Sequence, residues 1–216
     1  LAVVPVGSGN GFARDLGIPL GTDAALSVAV EGGTRLVDAG DINGRLFFNV
    51  SGLGFDAHVA HVFANLPRGR RGLSSYIMAG VREFFSYPAE SCRVTADVMV
   101  IPSVPVLMVA LANTRQWGND IRIAPRARPD DGRLDLVVVE HRPAWSVWAR
   151  GWRLWMGTCD RASGVVTRTF VEATVTAERD MPLHIDGEPA GLTREVRVRV
   201  LPRALAVKVP LSTATL

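Results

Sequence analysis

A single lysine, Lys208, occurs among the 24 basic residues of this 216-residue sequence, and the rest are arginine. A phosphate-loop lysine, a strand lysine that pairs with ATP and a Schiff-base lysine would each have to be Lys208, so much ordinary lysine chemistry is excluded. Cysteine is nearly as scarce. Cys92 and Cys159 cannot build a disulfide scaffold or a four-ligand zinc site, and no CxxC pair occurs. A reducing, cytoplasmic compartment is therefore expected. Long apolar runs are also missing: the stretch 98–112, within the longest uncharged run, contains Pro102, Ser103 and Pro105, and that run falls short of the roughly 18 residues of a membrane span. Two buried strands are expected there. Leu1 opens no basic segment, cleavage site or initiating methionine, so no secretory leader is expected. With a net charge of only +3, the chain suits an anionic surface without specifying one, and nothing marks a nucleic-acid partner. The 48% of hydrophobic and 21% of charged residues are those of a globular protein long enough to bury a core.

Residues 1–6 (LAVVPV) read as a continuous apolar strand buried on both faces, and this strand is expected to belong to an upstream domain. Helices are predicted at 12–16 and 23–30, the second capped by Thr22 or Asp23 and stopped by Gly32-Gly33. Strands at 35–39 and 45–50 flank Asn43-Gly44, the strongest short-range hairpin signal. Helices follow at 57–64 and 74–85, separated by the basic turn Pro67-Arg68-Gly69-Arg70-Arg71-Gly72. Further strands are predicted at 93–100, 105–112, 134–140, 166–177, 183–185, 195–200 and 205–209, with one helix at 145–156. Alternation of Val196, Val198 and Val200 with Arg197 and Arg199 gives one buried and one wet face. The fold class read from this pattern is mainly β, a sandwich with a few helices.

Gly7-Ser8-Gly9-Asn10-Gly11 lies between the first strand and a helix, where backbone N–H groups can receive an anion. Taken on its glycines alone it is a plain strand-to-helix turn, but Ser8 and Asn10 add donors suited to phosphate oxygens or a ribose. Asp130-Asp131-Gly132-Arg133-Leu134-Asp135 offers a carboxylate and main-chain carbonyls to a hard cation such as Mg²⁺. Read in isolation, it is better taken as a turn. In His184-Ile185-Asp186-Gly187-Glu188, two carboxylates flank a glycine at a strand end, where a ligand could approach closely; a hairpin turn is the competing reading. His58 and His61 lack a third metal ligand and read as ordinary helix residues. Trp145, Trp148, Trp152 and Trp155 fall within about 80° on a helical wheel. A core helix is favoured over a lipid-interface helix flanked by Arg150 and Arg153.

In this order the segments resemble the diacylglycerol kinase catalytic family, the soluble lipid kinases that include bacterial diacylglycerol kinases and sphingosine kinases. Pro5-Val6-Gly7-Ser8-Gly9-Asn10-Gly11-Phe12-Ala13-Arg14 is similar to the family's Pro-x-Gly-(Thr/Ser)-x-Asn-x-(Phe/Leu)-Ala-Arg motif, and residues 49–57 (NVSGLGFDA) to its Asn-x-x-Gly-x-Gly-Phe-Asp-Ala segment. Asn113, Pro125 and Asp131-Gly132-Arg133-Leu134-Asp135 resemble its Asn, Pro-x-Ala and Asp-Gly-x-Leu-Asp stretch, and residues 184–188 its Asp-Gly-Glu motif.

The resemblance implies the antiparallel β-sandwich of the NAD kinase/diacylglycerol kinase-like fold at 34–216, preceded at 1–33 by the end of a nucleotide-binding α/β domain. It implies ATP and Mg²⁺ as cofactors. Gly7, Ser8, Gly9 and Asn10 would bind the nucleotide, with Ser8 on the phosphates. Asp131 and the carbonyls of Arg128 and Arg133 would hold the metal. Glu188 would be the general base, and Asp186 would support it or a metal. The partner implied is a membrane lipid substrate, met by peripheral membrane contact, and a homodimer is left open. Gly11 departs from the acidic residue common after the motif's asparagine. The family's Gly-Gly-Asp-Gly-Thr motif is expected upstream of Leu1, so this sequence alone is expected to show little turnover. The rivals are a noncatalytic lipid-binding or regulatory sandwich, which the intact Asp-Gly-Glu segment opposes, and a fold-related kinase of a soluble substrate such as a dinucleotide, which the tryptophan helix opposes.

Overall fold

The computed structural model describes residues 1–7, 9–65 and 73–214. Ser8 and the basic turn 67–72 lie outside the described residues. In chain order the elements are α1 (Gly11–Asp15), α2 (Thr22–Glu31), β1 (Gly33–Ile42), β2 (Arg45–Phe47), β3 (Val50–Gly54), α3 (Phe55–Ala64), α4 (Leu73–Phe84), β4 (Glu90–Ala96), β5 (Met99–Ala112), β6 (Gln116–Gly118), β7 (Ile121–Arg122), β8 (Leu134–Glu140), α5 (Ala144–Gly151), α6 (Arg153–Met156), β9 (Val165–Phe170), β10 (Glu172–Ile185) and β11 (Glu188–Val209).

The sandwich is made from one nine-stranded antiparallel sheet in the order β2-β1-β11-β10-β3-β5-β8-β9. The ninth strand, β4, pairs with both β10 and β5. β10 and β5 are thus bridged by β4 at one end and by β3 at the other, which curls the sheet around a core. Phe47, Leu53, Leu111, Leu136, Phe170 and Met181 meet in that core, each side chain contributing about 1.5–3 kcal/mol by leaving water. Along β11 the predicted alternation holds, with Val196, Val198 and Val200 buried and Arg197 and Arg199 exposed. A smaller cluster joins Ala13 of α1, Ala25 of α2 and Leu16 and Ile18 between them to Val37, Val207 and Val209 of β1 and β11. The only lysine has a structural task there, Lys208 Nζ donating to the Gly32 carbonyl at 2.9 Å. Both thiols are buried, and desolvation pushes Cys92 and Cys159 up to about 11, so they stay neutral and unreactive at ordinary pH.

Several expected elements differ. Residues 1–6 form no strand: Leu1 hydrogen-bonds with Ala206 and Lys208 of β11, but Leu1 and Val6 are exposed, so the apolar run is not buried on both faces. The stretch expected as two strands, 105–112 and the end of 93–100, is one strand, β5, turning from β4 at Asp97-Val98. β5 passes through Pro102 because a register irregularity between the Cys92↔Val104 and Val94↔Ile101 pairs lies there, and a bulge needs no ladder donor. The predicted strand 166–177 breaks at Val171, whose N–H donates to the Asp97 carboxylate, and β10 then continues through Pro182 to Ile185. The tryptophan helix divides into α5 and α6 at Trp152. Its core reading is overturned: Trp145 is 75%, Trp152 55% and Trp155 46% exposed.

Candidate active site

Asp186 and Gly187 have φ of 50° and 87°, and Ile185 pairs with Glu188 across them. They form the two-residue turn that joins β10 to β11, a geometry that favours Asp-Gly. The turn is also fastened from the side. Asp186 Oδ1 accepts the Asn49 N–H at 2.8 Å and Oδ2 the Phe48 N–H at 2.9 Å. Desolvation around this carboxyl pushes its pKa up, against the lowering effect of the two amide bonds. Asp186 therefore holds the entry to β3, and Glu188, immediately beyond the turn, is exposed, its carboxylate without a hydrogen bond or ion pair among the described residues.

The glycine segment forms another wall. Asn10, in the left-handed region at φ 52°, folds its amide back so that Oδ1 accepts the Gly7 N–H and Nδ2 donates to the Gly7 carbonyl. Gly9 and Asn10 lie against Gly118, and a Cβ at Gly11 would sit 2.7 Å from the Gln116 carbonyl oxygen. That close approach explains why glycine, and not the acidic residue that the resemblance implied, stands here. Asp15, at the end of α1, fixes the same contact by accepting N–H bonds from Arg115 and from the Gln116 side chain.

Gly7, Gly9, Asn10, Asp186 and Glu188 line one cleft of about 610 Å³. Helix α3 separates this cleft from a second cavity of about 280 Å³. Its Ala60, Phe63 and Ala64 face the cleft, and its Phe55 and Val59 face the second cavity, as helical spacing requires. Leu107, Met108, Ile123 and Leu154 complete a lining for the second cavity that is almost wholly apolar. Trp155 lines it too, so the exposed tryptophan helix is one of its walls. His58, on α3, spends its ring on Glu83 of α4 at 3.0 Å.

Arg128, Asp131 and Arg133 do not line the cleft. Asp131 is exposed and its Oδ1 accepts the Arg133 N–H. The loop is anchored by Asp38, a residue sequence reasoning missed. This fully buried carboxylate accepts the Gly132 and Arg203 N–H groups at 2.7 Å each. Arg35 holds the adjacent Asp130 at 2.6 Å. Desolvation raises Asp38 and raises Asp135 to about 7, with the Asp131 charge adding to both. The loop and the cleft are joined through Asn113. Its Nδ2 donates to the carbonyls of Asp38 and Phe48 at 2.9 Å each, and Phe48 is held in turn by Asp186. Asn113 was legible only as part of a motif.

Asp131, exposed and without an ion pair among the described residues, offers the hard oxygen that Mg²⁺ accepts. Among the described residues no group of three His, Cys, Asp or Glu side chains could hold a metal ion, so a cation at this loop would rest on Asp131 and main-chain carbonyls.

Comparison with known proteins agrees with this architecture. The family model described as Diacylglycerol kinase catalytic domain matches residues 1–42, and that described as YegS C-terminal NAD kinase beta sandwich-like domain matches residues 49–209. A Pseudomonas aeruginosa protein named Probable lipid kinase YegS-like is 32% identical over 215 residues, covering 97% of this chain and 68% of the relative. A Chromohalobacter salexigens protein of the same name is 29% identical over 227 residues, covering 100% and 69%. The crystal structure of a diacylglycerol kinase from Bacillus anthracis Sterne shares the fold with a TM-score of 0.70 at 16% identity, covering 99% of this chain and 68% of that one. The chain thus belongs to the YegS-like family of diacylglycerol kinase type, with residues 49–209 as its NAD kinase-like β-sandwich domain.

Proposed function

We propose that this chain is the larger part of an ATP-dependent lipid kinase that phosphorylates a hydroxyl of a membrane lipid of the diacylglycerol or sphingoid-base kind. The observation that carries the reading is the adjacency of two cavities: a cleft lined by the glycine segment and by Glu188, whose carboxylate is unpaired among the described residues, lies beside an almost wholly apolar cavity. An amphipathic substrate suits that pair, with its hydroxyl in the cleft and its chains in the apolar space. Glu188 would accept the hydroxyl proton as the alcohol attacks, the task of a general base in phosphoryl transfer. Asp186 is a positioning residue in this scheme, holding the turn and β3 in register.

The phosphoryl group comes from ATP, and Mg²⁺ would offset its charge from a site at Asp131 and the carbonyls of Arg128 and Arg133. In the absence of a loop lysine, backbone N–H groups of the glycine segment carry more of the phosphate binding, Ser8 contributing its hydroxyl. Membrane contact is peripheral. No helix among the described residues is long and apolar enough to cross a bilayer, while Trp145, Trp152 and Met156 stand exposed beside the apolar cavity. The test is ATP consumption by the full-length gene product with diacylglycerol, a sphingoid base, NAD or no acceptor. Turnover is expected with a lipid alcohol only; phosphorylation of NAD alone would overturn the lipid reading.

A further inference from the structure

Between β2 and β3 the chain bends at Phe48 and Asn49. This bend carries it from β2, at one end of the sheet, to β3 in the sheet's interior. Neither residue belongs to a strand, so their backbone groups have no ladder partners and must be satisfied in another way. All four are nevertheless paired. Asp186 accepts both N–H groups, with Oδ2 2.9 Å from Phe48 and Oδ1 2.8 Å from Asn49. The carbonyls are taken by the residues that follow β5: Asn113 Nδ2 donates to Phe48 at 2.9 Å, and the N–H groups of Asn113 and Thr114 donate to Asn49 at 2.9 and 3.3 Å.

Asn113 therefore serves both carbonyls of the bend, and its Nδ2 also donates to the Asp38 carbonyl at 2.9 Å. The residue is 1% exposed, and its Oδ1 is buried without a hydrogen-bond partner. Its amide can face only one way, because turning it over would set an oxygen against two carbonyl oxygens. What rests on the bend is the turn that carries the base. Asp186 fastens that turn to Phe48 and Asn49, His184 Nδ1 accepts the Gly187 N–H at 3.1 Å, and Glu188 comes next in the chain.

We propose that Asn113 is a positioning residue for the phosphoryl transfer, setting the place of the Glu188 carboxylate through the bend and Asp186. Asn113 does not line the cleft, so it acts only through the groups it holds. This inference rests on the reading of Glu188 as the base and names what fixes that base in place.

The test compares the steady-state kinetics of Asn113→Leu, Glu188→Gln and the double variant in the full-length gene product. Removing the Asn113 side-chain donors should lower kcat about 10–100-fold, the scale of a small misplacement at a reacting group, and leave the KM for lipid unchanged. In the Glu188→Gln background the same substitution should cost nothing further, because no base is left to misplace. Equal fold losses in the two backgrounds, or a loss confined to KM, would overturn the inference and leave the base reading standing. Near-full turnover of Glu188→Gln alone would overturn the base reading and this inference with it. Should Asn113→Leu fail to fold, Asn113→Ser takes its place, since a hydroxyl can donate to only one of the two carbonyls. The wild type supplies a readout that needs no variant: the Asn113 side-chain amide protons should exchange with water far more slowly than those of a free asparagine, and exchange at the free rate would overturn the proposal.

Discussion

His184 Nε2 lies 3.1 Å from Asp56 Oδ2, with both side chains almost wholly inside the protein, and His184 Nδ1 accepts the Gly187 N–H at 3.1 Å. Because Nδ1 is an acceptor, the neutral ring carries its proton on Nε2 and donates it to Asp56. The first turn of α3, the end of β10 and the turn before Glu188 are thereby one connected unit. Asp56 also borders both cavities, so the unit fixes where the base stands relative to both.

Removing one partner of this pair should be worse than weakening both. His184→Ala leaves the Asp56 carboxylate buried without its donor and is expected to cost about 3–5 kcal/mol of stability. Asp56→Asn keeps a hydrogen-bond acceptor and should cost less. Urea unfolding of the two single variants and the double variant should give a coupling of about 0.5–3 kcal/mol. Additive effects would mean that the contact holds nothing.

Glu188→Gln preserves shape and removes the base. Since Glu188 is exposed and unpaired among the described residues, the unfolding midpoint should stay within the error of the wild type. Turnover of the full-length product at saturating substrate should fall about 10²–10⁴-fold. A variant with near-full turnover would make this glutamate only the first residue of β11.

Asp131→Asn separates a metal ligand from a turn. The amide oxygen can still accept the Arg133 N–H, so the turn should persist and stability should hardly change. A neutral amide is a poorer ligand for a hard cation. The magnesium concentration for half-maximal turnover should therefore rise, and an unchanged magnesium dependence would leave Asp131 with the turn alone.

What the sequence made legible was local. Asn43-Gly44 announces its turn because left-handed backbone suits those residues, and it is found as read, while at Asp186-Gly187 the backbone takes the hairpin turn that stood as the competing reading. The β11 valines declare their face through period-two spacing. Failures came where tertiary context overrides composition. Val98 looks like strand yet tops a turn, fully exposed, because Asp97 before it takes a positive φ. Pro102 looks like a break yet sits inside β5, because the bulge asks no hydrogen bond of it. In the site, Glu188 and Asp186 were visible as a motif, but the partners that orient them were not. Asp56 and His184 are separated by 128 positions, and Asp38 and Gly132 by 94, so no spacing rule could pair them.

The exposed tryptophans make a prediction that the core reading would have reversed. In a packed core, truncating one of them would cost about 3–5 kcal/mol. With Trp145 75% and Trp152 55% exposed, Trp145→Ala and Trp152→Ala should instead leave the unfolding free energy within about 0.5 kcal/mol of the wild type. Their effect should fall on membrane binding. Tryptophan places a large apolar ring and one polar N–H at the boundary between headgroups and chains, and Arg153, 5.2 Å from the Trp152 ring, sets a positive charge beside it. Sedimentation with vesicles of mixed neutral and anionic lipid should show weaker binding for both variants. Raising the salt concentration should weaken the wild type as well, because the arginine contribution is screened. Wild-type affinity in the variants, with stability also unchanged, would move the docking surface elsewhere on the molecule. A large loss of stability would instead mean that these rings are packed in solution.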